Sequence, residues 1–153
     1  DDFSVRNTQD AIKALLAITG AIKFFLAGIA GISLLVGGVG VMNIMLAAVS
    51  ERVREIGLRK SVGARRGDII QQFLFETVAL TCTGGVIGIT IGAAFSTLVA
   101  VGARALGYNW DLVISPSSII VGCVVAIGIG LLFGVYPARR AARLSPMTAL
   151  RYE

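Results

Sequence analysis

The sequence predicts an all-α membrane protein with three transmembrane helices and a short basic helix between the first and the second. Hydrophobic residues make up 56% of the 153 residues and charged residues 15%, with a mean hydropathy of +0.83, whereas about a quarter of the residues in soluble domains are charged. Three apolar runs, at 24–49, 77–103 and 117–136, are each long enough to cross a bilayer. Six of the 14 Lys and Arg residues lie between the first two runs, as expected for a segment at a membrane surface.

The chain before the first run is expected to form a helix that continues into the membrane. Ile12, Leu15 and Ile22 recur at helical spacing, and no proline interrupts residues 9–49. At about 1.5 Å per residue, this joined helix is longer than a bilayer is thick. We therefore expect residues 9–23 to form a stalk outside the membrane.

The basic segment, defined here as residues 50–76, is expected to form a helical bracket. Ser50 is a candidate cap for its first helix. Oppositely charged pairs lie one turn apart on that helix: Glu51 with Arg54, and Glu55 with Arg59. A turn at 63–67 separates it from a second helix, for which Asp68 and Gln71 fit a variant capping box.

The distribution of positive charge predicts the orientation in the membrane. The basic segment carries six Lys or Arg and the tail 137–153 carries four, against three before the first run and one in the connection 104–116. Because Lys and Arg are retained on the cytoplasmic side, we expect the basic segment and the C-terminus in the cytoplasm and the N-terminus outside. No signal sequence accounts for an external N-terminus, so we expect residues 1–8 to be the end of a missing external domain.

Small residues recur at every fourth position in the second and third runs. Such ridges let helix backbones approach closely within a membrane. Two alternatives stay open for them: packing within one subunit, or an interface between subunits. The ridge of the second run contains Gly84, Gly88, Gly92, Ser96 and Ala100, and the ridge of the third contains Gly122, Ala126, Gly130 and Gly134.

Several classes of function do not fit these residues. The positive charge lies beside membrane runs, where topology accounts for it, so no nucleic-acid partner is expected. No charged residue lies in the middle of a run, which argues against an ion-coupled carrier. The sequence has no histidine and too few acids for a paired-carboxylate site, which argues against an enzyme. No catalytic, metal-binding or cofactor-binding residue is therefore assigned.

The basic segment has a pattern typical of a helix that docks in a protein groove. Contact with anionic lipid headgroups alone would require only loose lysines. Here the charges are mostly arginine, alternate with glutamate and flank apolar residues, which favours a protein partner. The flanking apolar residues are Val53, Ile56, Leu58 and Val62.

Two long motifs flank the second and third runs. The first, SERVREIGLRKSVGARRGDIIQQFLFE, occupies 50–76 and is preceded by LLVGGVGVMNIML; the second, GVYPARRAARLSPMTALRYE, occupies 134–153. In this order, and over nearly the whole chain, they resemble the FtsX-like permease domain of ABC transporters, in particular its MacB-type (macrolide exporter) branch. The resemblance implies a homodimeric permease of the bacterial inner membrane. By this resemblance, such a permease would export drugs, peptides or toxins together with a periplasmic adaptor and an outer-membrane channel.

The resemblance also implies which parts supply energy and transmit motion. ATP and Mg²⁺ would bind to an ABC nucleotide-binding domain, because this chain has no Walker A phosphate loop. Closure of those domains would move the cytoplasmic helix ends and, through the stalk, a periplasmic domain whose last strand is Asp1–Val5. The implied contacts with the nucleotide-binding domain are Glu51, Arg52, Arg54, Glu55, Ile56, Gly57, Arg59, Lys60, Gly63 and Ala64.

The same family leaves other functions open. FtsX-type proteins are regulatory scaffolds that control cell-wall hydrolases, and other relatives release lipoproteins. The resemblance of the first span and of the ALRYE ending favours the exporter.

Overall fold

Three long helices and one short helix make up the described part of this computed structural model, which comprises residues 2–145 and 147, with side chains described from Thr8 onward. In order, the helices are α1 (Asp2–Glu51), α2 (Val53–Ser61), α3 (Arg66–Ala105) and α4 (Pro116–Arg143). The long helices α1, α3 and α4 are apolar enough to cross a membrane. This confirms the predicted all-α class, with a short helix after the first membrane run. The chain divides into two compact units, one up to Gly37 and one from Gly38 onward.

The first unit is the N-terminal part of α1. Residues 9–23 are helical, as predicted, and the side chains of residues 8–30 are exposed. The predicted strand at Asp1–Val5 is wrong over its described part, because the helix already begins at Asp2. A helix satisfies its backbone hydrogen bonds internally, whereas a lone strand leaves them unpaired. The placement of this unit outside the membrane stays a prediction.

The second unit has its core at one end, where α1 ends, α3 begins and α4 ends. We call this cluster the basal core. It is apolar because each contributing helix turns one face inward, so that the residues recur at intervals of three or four. Its buried members are Met45, Val49, Ile56, Ile69, Phe73, Ala138, Ala141 and Ala142.

The last helix extends further than the sequence predicted. The third membrane run was expected to end at Tyr136, with a tail from Pro137, but α4 continues to Arg143. Proline removes one backbone donor from the helix. Pro137 and the alanines that follow it are buried at 0–2% exposure. Packing of this small-residue face against the basal core therefore keeps the chain helical beyond the proline.

The boundary between α1 and α2 differs from the predicted one. Ser50 does not cap α2; it lies inside α1, where its Oγ donates to the Leu46 carbonyl at 3.0 Å. The interruption falls instead at Arg52, with φ −102° and ψ 16°. Serine inside a helix commonly bonds to the carbonyl four residues earlier, so its capping preference did not decide the boundary.

The cap of α3 also differs from the predicted one. The helix begins at Arg66, three residues before the predicted start, and its N-cap is Arg65. The Asp68 carboxylate accepts a hydrogen bond from the Arg65 backbone N–H at 2.9 Å. The predicted pair of Asp68 with Gln71 is therefore wrong, and Asp68 instead closes the cap on its N-terminal side.

Glycines of α4 make the close approach to α3. A Cβ added to Gly134 would lie 2.9 Å from the Cβ and the Oγ1 of Thr77, and one added to Gly130 would lie 3.1 Å from the Val78 Cα. Gly122 faces the Ile89 side chain. Ala126 lies against Gly85, whose added Cβ would be 3.0 Å from the Ala126 Cβ. The ridge predicted on α4 thus packs within the chain.

The glycines of the ridge predicted on α3 do not make the close approach to α4. Cβ atoms added to Gly84, Gly88 or Gly92 would meet nothing within 4 Å. The face that packs on α4 is one helical position further round, since it includes Thr77, Gly85 and Ile89. Within this chain the helices therefore do not approach closely at Gly84, Gly88 or Gly92, although Gly92 lines a cavity with Ser118 and Ile119 of α4. Their alternative role at a subunit interface stays a prediction.

Candidate coupling surface on the basic segment

The inner face of α2 is part of the basal core. Ile56 is 3% exposed and Gly57 is buried. Because Gly57 has no side chain, the α2 backbone can lie directly against the neighbouring helices at this position. Both residues were predicted to contact a partner. In this chain they are enclosed by its own helices.

Two polar contacts join α2 and its start to α3. The Arg59 guanidinium donates to Gln72 Oε1 and also pairs with Glu55 Oε1 at 2.6 Å. The Arg52 Nη1 lies 3.3 Å from both carboxylate oxygens of Glu76. The predicted Glu55–Arg59 pair is thus confirmed. The predicted Glu51–Arg54 pair is not formed, because the described residues place no carboxylate within 4.0 Å of Arg54.

A third contact joins α2 to the end of α4. The Lys60 Nζ donates to the backbone carbonyls of Ala142 and Leu144, the latter at 2.7 Å. The last carbonyls of a helix lack partners within it, and they carry the negative end of its dipole. The Lys60 ammonium group therefore stabilises the end of α4 in two ways: it donates hydrogen bonds to the free carbonyls, and its positive charge offsets the negative end of the helix dipole. Burial, and secondly the Arg66 charge, lower the pKa of Lys60.

The end of α2 explains two more of the predicted coupling residues. Gly63 has φ +102° and donates from its N–H to the Lys60 carbonyl at 3.2 Å, and the Ala64 N–H donates to the Arg59 carbonyl at 3.0 Å. This double pattern is a Schellman motif, which favours glycine because φ is positive. Gly63 and Ala64 therefore set the direction of the chain between α2 and α3.

The outer face of α2 is open. A cavity of about 450 Å³ is lined by residues of the α1–α2 junction and of α2. Leu58 is 57% exposed there although it lies among charges, and Val62 nearby is 81% exposed. Exposed apolar side chains bounded by charged ones are typical of docking surfaces. We call the lining residues the coupling face: Glu51, Arg52, Arg54, Glu55 and Leu58.

The ten predicted contacts therefore separate into two groups. Four of them line the coupling face: Glu51, Arg52, Arg54 and Glu55. The other six hold the basic segment against the rest of the second unit or shape its turn: Ile56, Gly57, Arg59, Lys60, Gly63 and Ala64. Leu58 was not among the predicted contacts. Its helical position, away from Ile56 and next to Arg54, was the signal that could have identified it.

The Arg52–Glu76 pair is expected to contribute little to stability. Both side chains are substantially exposed, at 46% and 38%. Replacing Glu76 with glutamine should change the free energy of unfolding by less than about 1 kcal/mol, because water screens exposed pairs. Denaturation of the purified variant in detergent would measure this. A loss well above that value would show that the pair is enclosed in the folded protein.

Taken together, three membrane-length helices and a bracket helix bonded to two of them are the architecture of a multi-pass membrane protein. The chain belongs to the FtsX-like permease family, since the family model for the FtsX-like permease C-terminal region matches residues 27–146. This matched range contains the end of α1 and the whole of α2, α3 and α4, which form the basal core and the coupling face.

Individual relatives agree with that assignment. The chain is 47% identical over all its 153 residues to the macrolide export ATP-binding/permease protein MacB of Bdellovibrio bacteriovorus, covering 23% of that protein. It is 48% identical over the same length to a MacB protein of Syntrophobacter fumaroxidans, covering 21% of it. It is 46% identical to the uncharacterized ABC transporter permease YknZ of Bacillus subtilis, covering 37% of it. The chain thus spans well under half the length of each of these relatives.

Proposed function

We propose that this chain is the membrane-spanning part of an ATP-driven exporter, and that its coupling face receives motion from an ABC nucleotide-binding domain. The MacB relatives are named as ATP-binding/permease proteins, which combine an ATP-binding part with a permease part. The observation that carries the proposal is the division of α2 into two faces. Its inner face is bonded to α3 and α4, and its outer face exposes charges and Leu58.

The contacts of α2 supply a route for that motion. A partner that displaces the coupling face moves Ile56 and Arg59 with it, because both lie on the same short helix. The Arg59–Gln72 contact then acts on α3, and the Lys60 contact acts on α4. A packed core resists compression, so displacement at one face reaches the helices across it. In this mechanism ATP and Mg²⁺ bind only to the partner domain.

The proposed orientation in the membrane rests on the distribution of positive charge, and the proposed assembly rests on the relatives. The basic segment faces the cytoplasm of a bacterial inner membrane, and the N-terminal part of α1 is the stalk on the other side. The permease works as a homodimer, and Gly84, Gly88 and Gly92 are available for contact between subunits. The MacB relatives are named as macrolide export proteins, which supports macrolide-like cargo. A periplasmic adaptor and an outer-membrane channel would complete the path outward.

A leucine at the coupling face provides the test. Leu58→Asp should lower transport per ATP hydrolysed by at least about tenfold, because a charge replaces the exposed apolar contact. The measurement is efflux and ATPase activity of the assembled transporter at equal membrane levels. The matched control is Leu106→Asp, since Leu106 is also exposed, at 78%, but follows α3 at its other end. Equal ratios of transport to hydrolysis in Leu58→Asp and the unaltered protein would contradict the proposal.

A further inference from the structure

The last two turns of α4 present a basic face opposite the basal core. Ala138, Ala141 and Ala142 are buried at 0–2% exposure. Residues on the other side of the helix therefore face outward, and they line an open cavity of about 350 Å³. We call them the arginine face: Tyr136, Arg139, Arg140 and Arg143.

The charges of the arginine face have no acidic partner within the described chain. Among residues 8–145, the ion pairs are Arg52–Glu76 and Arg59–Glu55, and neither involves this face. Three guanidinium groups within two helical turns repel one another. An anion bound between them would relieve that repulsion. Guanidinium groups suit a phosphate in particular, because their planar fork can donate two parallel hydrogen bonds.

The arginine face also adjoins apolar surface. Leu132 lies one turn before Tyr136 on α4 and is 74% exposed, and Tyr136 itself is 57% exposed. The helix Pro116–Arg143, which contains both residues, is long and apolar enough to cross a membrane. A tyrosine between an apolar and a charged zone is typical of the membrane–water interface. A ligand at this position therefore meets hydrocarbon on one side and positive charge on the other.

We propose that Tyr136, Arg139, Arg140 and Arg143 bind the headgroup of an anionic phospholipid, whose acyl chains lie along the Leu132 side of α4. The lipid phosphate lies between the guanidinium groups, and the Tyr136 hydroxyl is available as a further donor. An acidic segment of a protein would satisfy the charges but would not need the adjoining apolar surface, so the lipid is favoured. The site requires no nucleotide-binding partner, and it stands or falls separately from the exporter function.

The proposal is tested by lipid retention on the purified protein. In native mass spectrometry from detergent, we expect phosphatidylglycerol to be retained at least about tenfold more than phosphatidylcholine, because each nearby positive charge favours an anionic lipid. The triple variant R139Q/R140Q/R143Q should lose this preference. The matched control R54Q/R65Q/R66Q removes the same three charges from the basic segment and should keep it.

Each other outcome overturns the proposal. Equal retention of both lipids, or retained preference in R139Q/R140Q/R143Q, would show that the arginine face is not the site. Displacement of phosphatidylglycerol by millimolar inorganic phosphate would make free phosphate the ligand. Displacement by an acidic peptide alone would indicate a protein partner.

Should the triple variant fail to insert, R139K/R140K/R143K keeps the charge and loses the fork geometry. It is expected to retain phosphatidylglycerol about tenfold more weakly.

Discussion

Replacing Gly134 with leucine is expected to prevent α3 and α4 from packing together. Even an alanine Cβ at this position would lie 2.9 Å from the Cβ and the Oγ1 of Thr77, and Thr77 is fully buried. Gly134→Ala should therefore cost about 1–3 kcal/mol of unfolding free energy, and Gly134→Leu about 3 kcal/mol or more. Thr77 cannot move aside freely, since its Oγ1 donates to the Phe73 carbonyl at 2.7 Å in the same buried region.

The matched control for this prediction is Gly88→Leu. A side chain at Gly88 would meet nothing within 4 Å in this chain, and leucine forms helix more readily than glycine by about 0.8 kcal/mol. Unfolding of both variants in detergent, followed by circular dichroism, gives the comparison. Comparable losses in the two variants would contradict the helix packing described above. Loss of dimer with an intact monomer in Gly88→Leu would instead support a subunit interface on α3.

A double-variant cycle separates steric conflict from a general effect on the helix. Thr77→Ala removes Oγ1 and Cγ2, two of the atoms nearest to an added Cβ at Gly134. If crowding is the cause, Gly134→Ala should cost less in the Thr77→Ala background than in the unaltered protein. Strictly additive costs would show that the two positions do not press on each other.

The contrast between the two glycine ridges shows how far the sequence could specify the packing. Spacing of four identified candidate ridges on both α3 and α4, because small residues at that interval share a helix face. It could not indicate which face turns toward a neighbour, since glycines recur on adjacent faces of α3. Thr77 and Gly85, which do face α4, lie about 100° round the helix from the predicted ridge. That rotation is visible only in the contacts between α3 and α4.

The position of the basic helix α2 was predictable from the sequence, but the contacts of its residues were not. Charge alternation located α2 and the Glu55–Arg59 pair, since both depend on neighbours one turn apart. The contacts of Arg59 with Gln72 and of Lys60 with the end of α4 join distant parts of the chain. No local pattern encodes them. The continuation of α4 past the predicted end of the third run at Tyr136 also depends on distant parts of the chain, because Ala138 and Ala141 are buried in the basal core.

Replacing Lys60 with methionine is expected to loosen the end of α4. Methionine keeps the length and the apolar stem of the side chain but cannot donate to the carbonyls of Ala142 and Leu144. Leaving a helix terminus without these donors should cost about 1–3 kcal/mol. Amide hydrogens of residues 141–144 should then exchange with solvent at least about tenfold faster, because local opening becomes easier by that amount.

The control for this prediction is Lys13→Met, at an exposed lysine in the first unit. It makes the same chemical change at a side chain that bonds to no carbonyl among the described residues, so exchange at 141–144 should stay as in the unaltered protein. Lys60→Arg keeps the positive charge and the donors, and it should recover most of the protection. Unchanged exchange in Lys60→Met would show that the basal core alone holds α4. If exchange rises but transport per ATP stays normal, then motion reaches the membrane helices through α3 by way of Arg59 and Gln72.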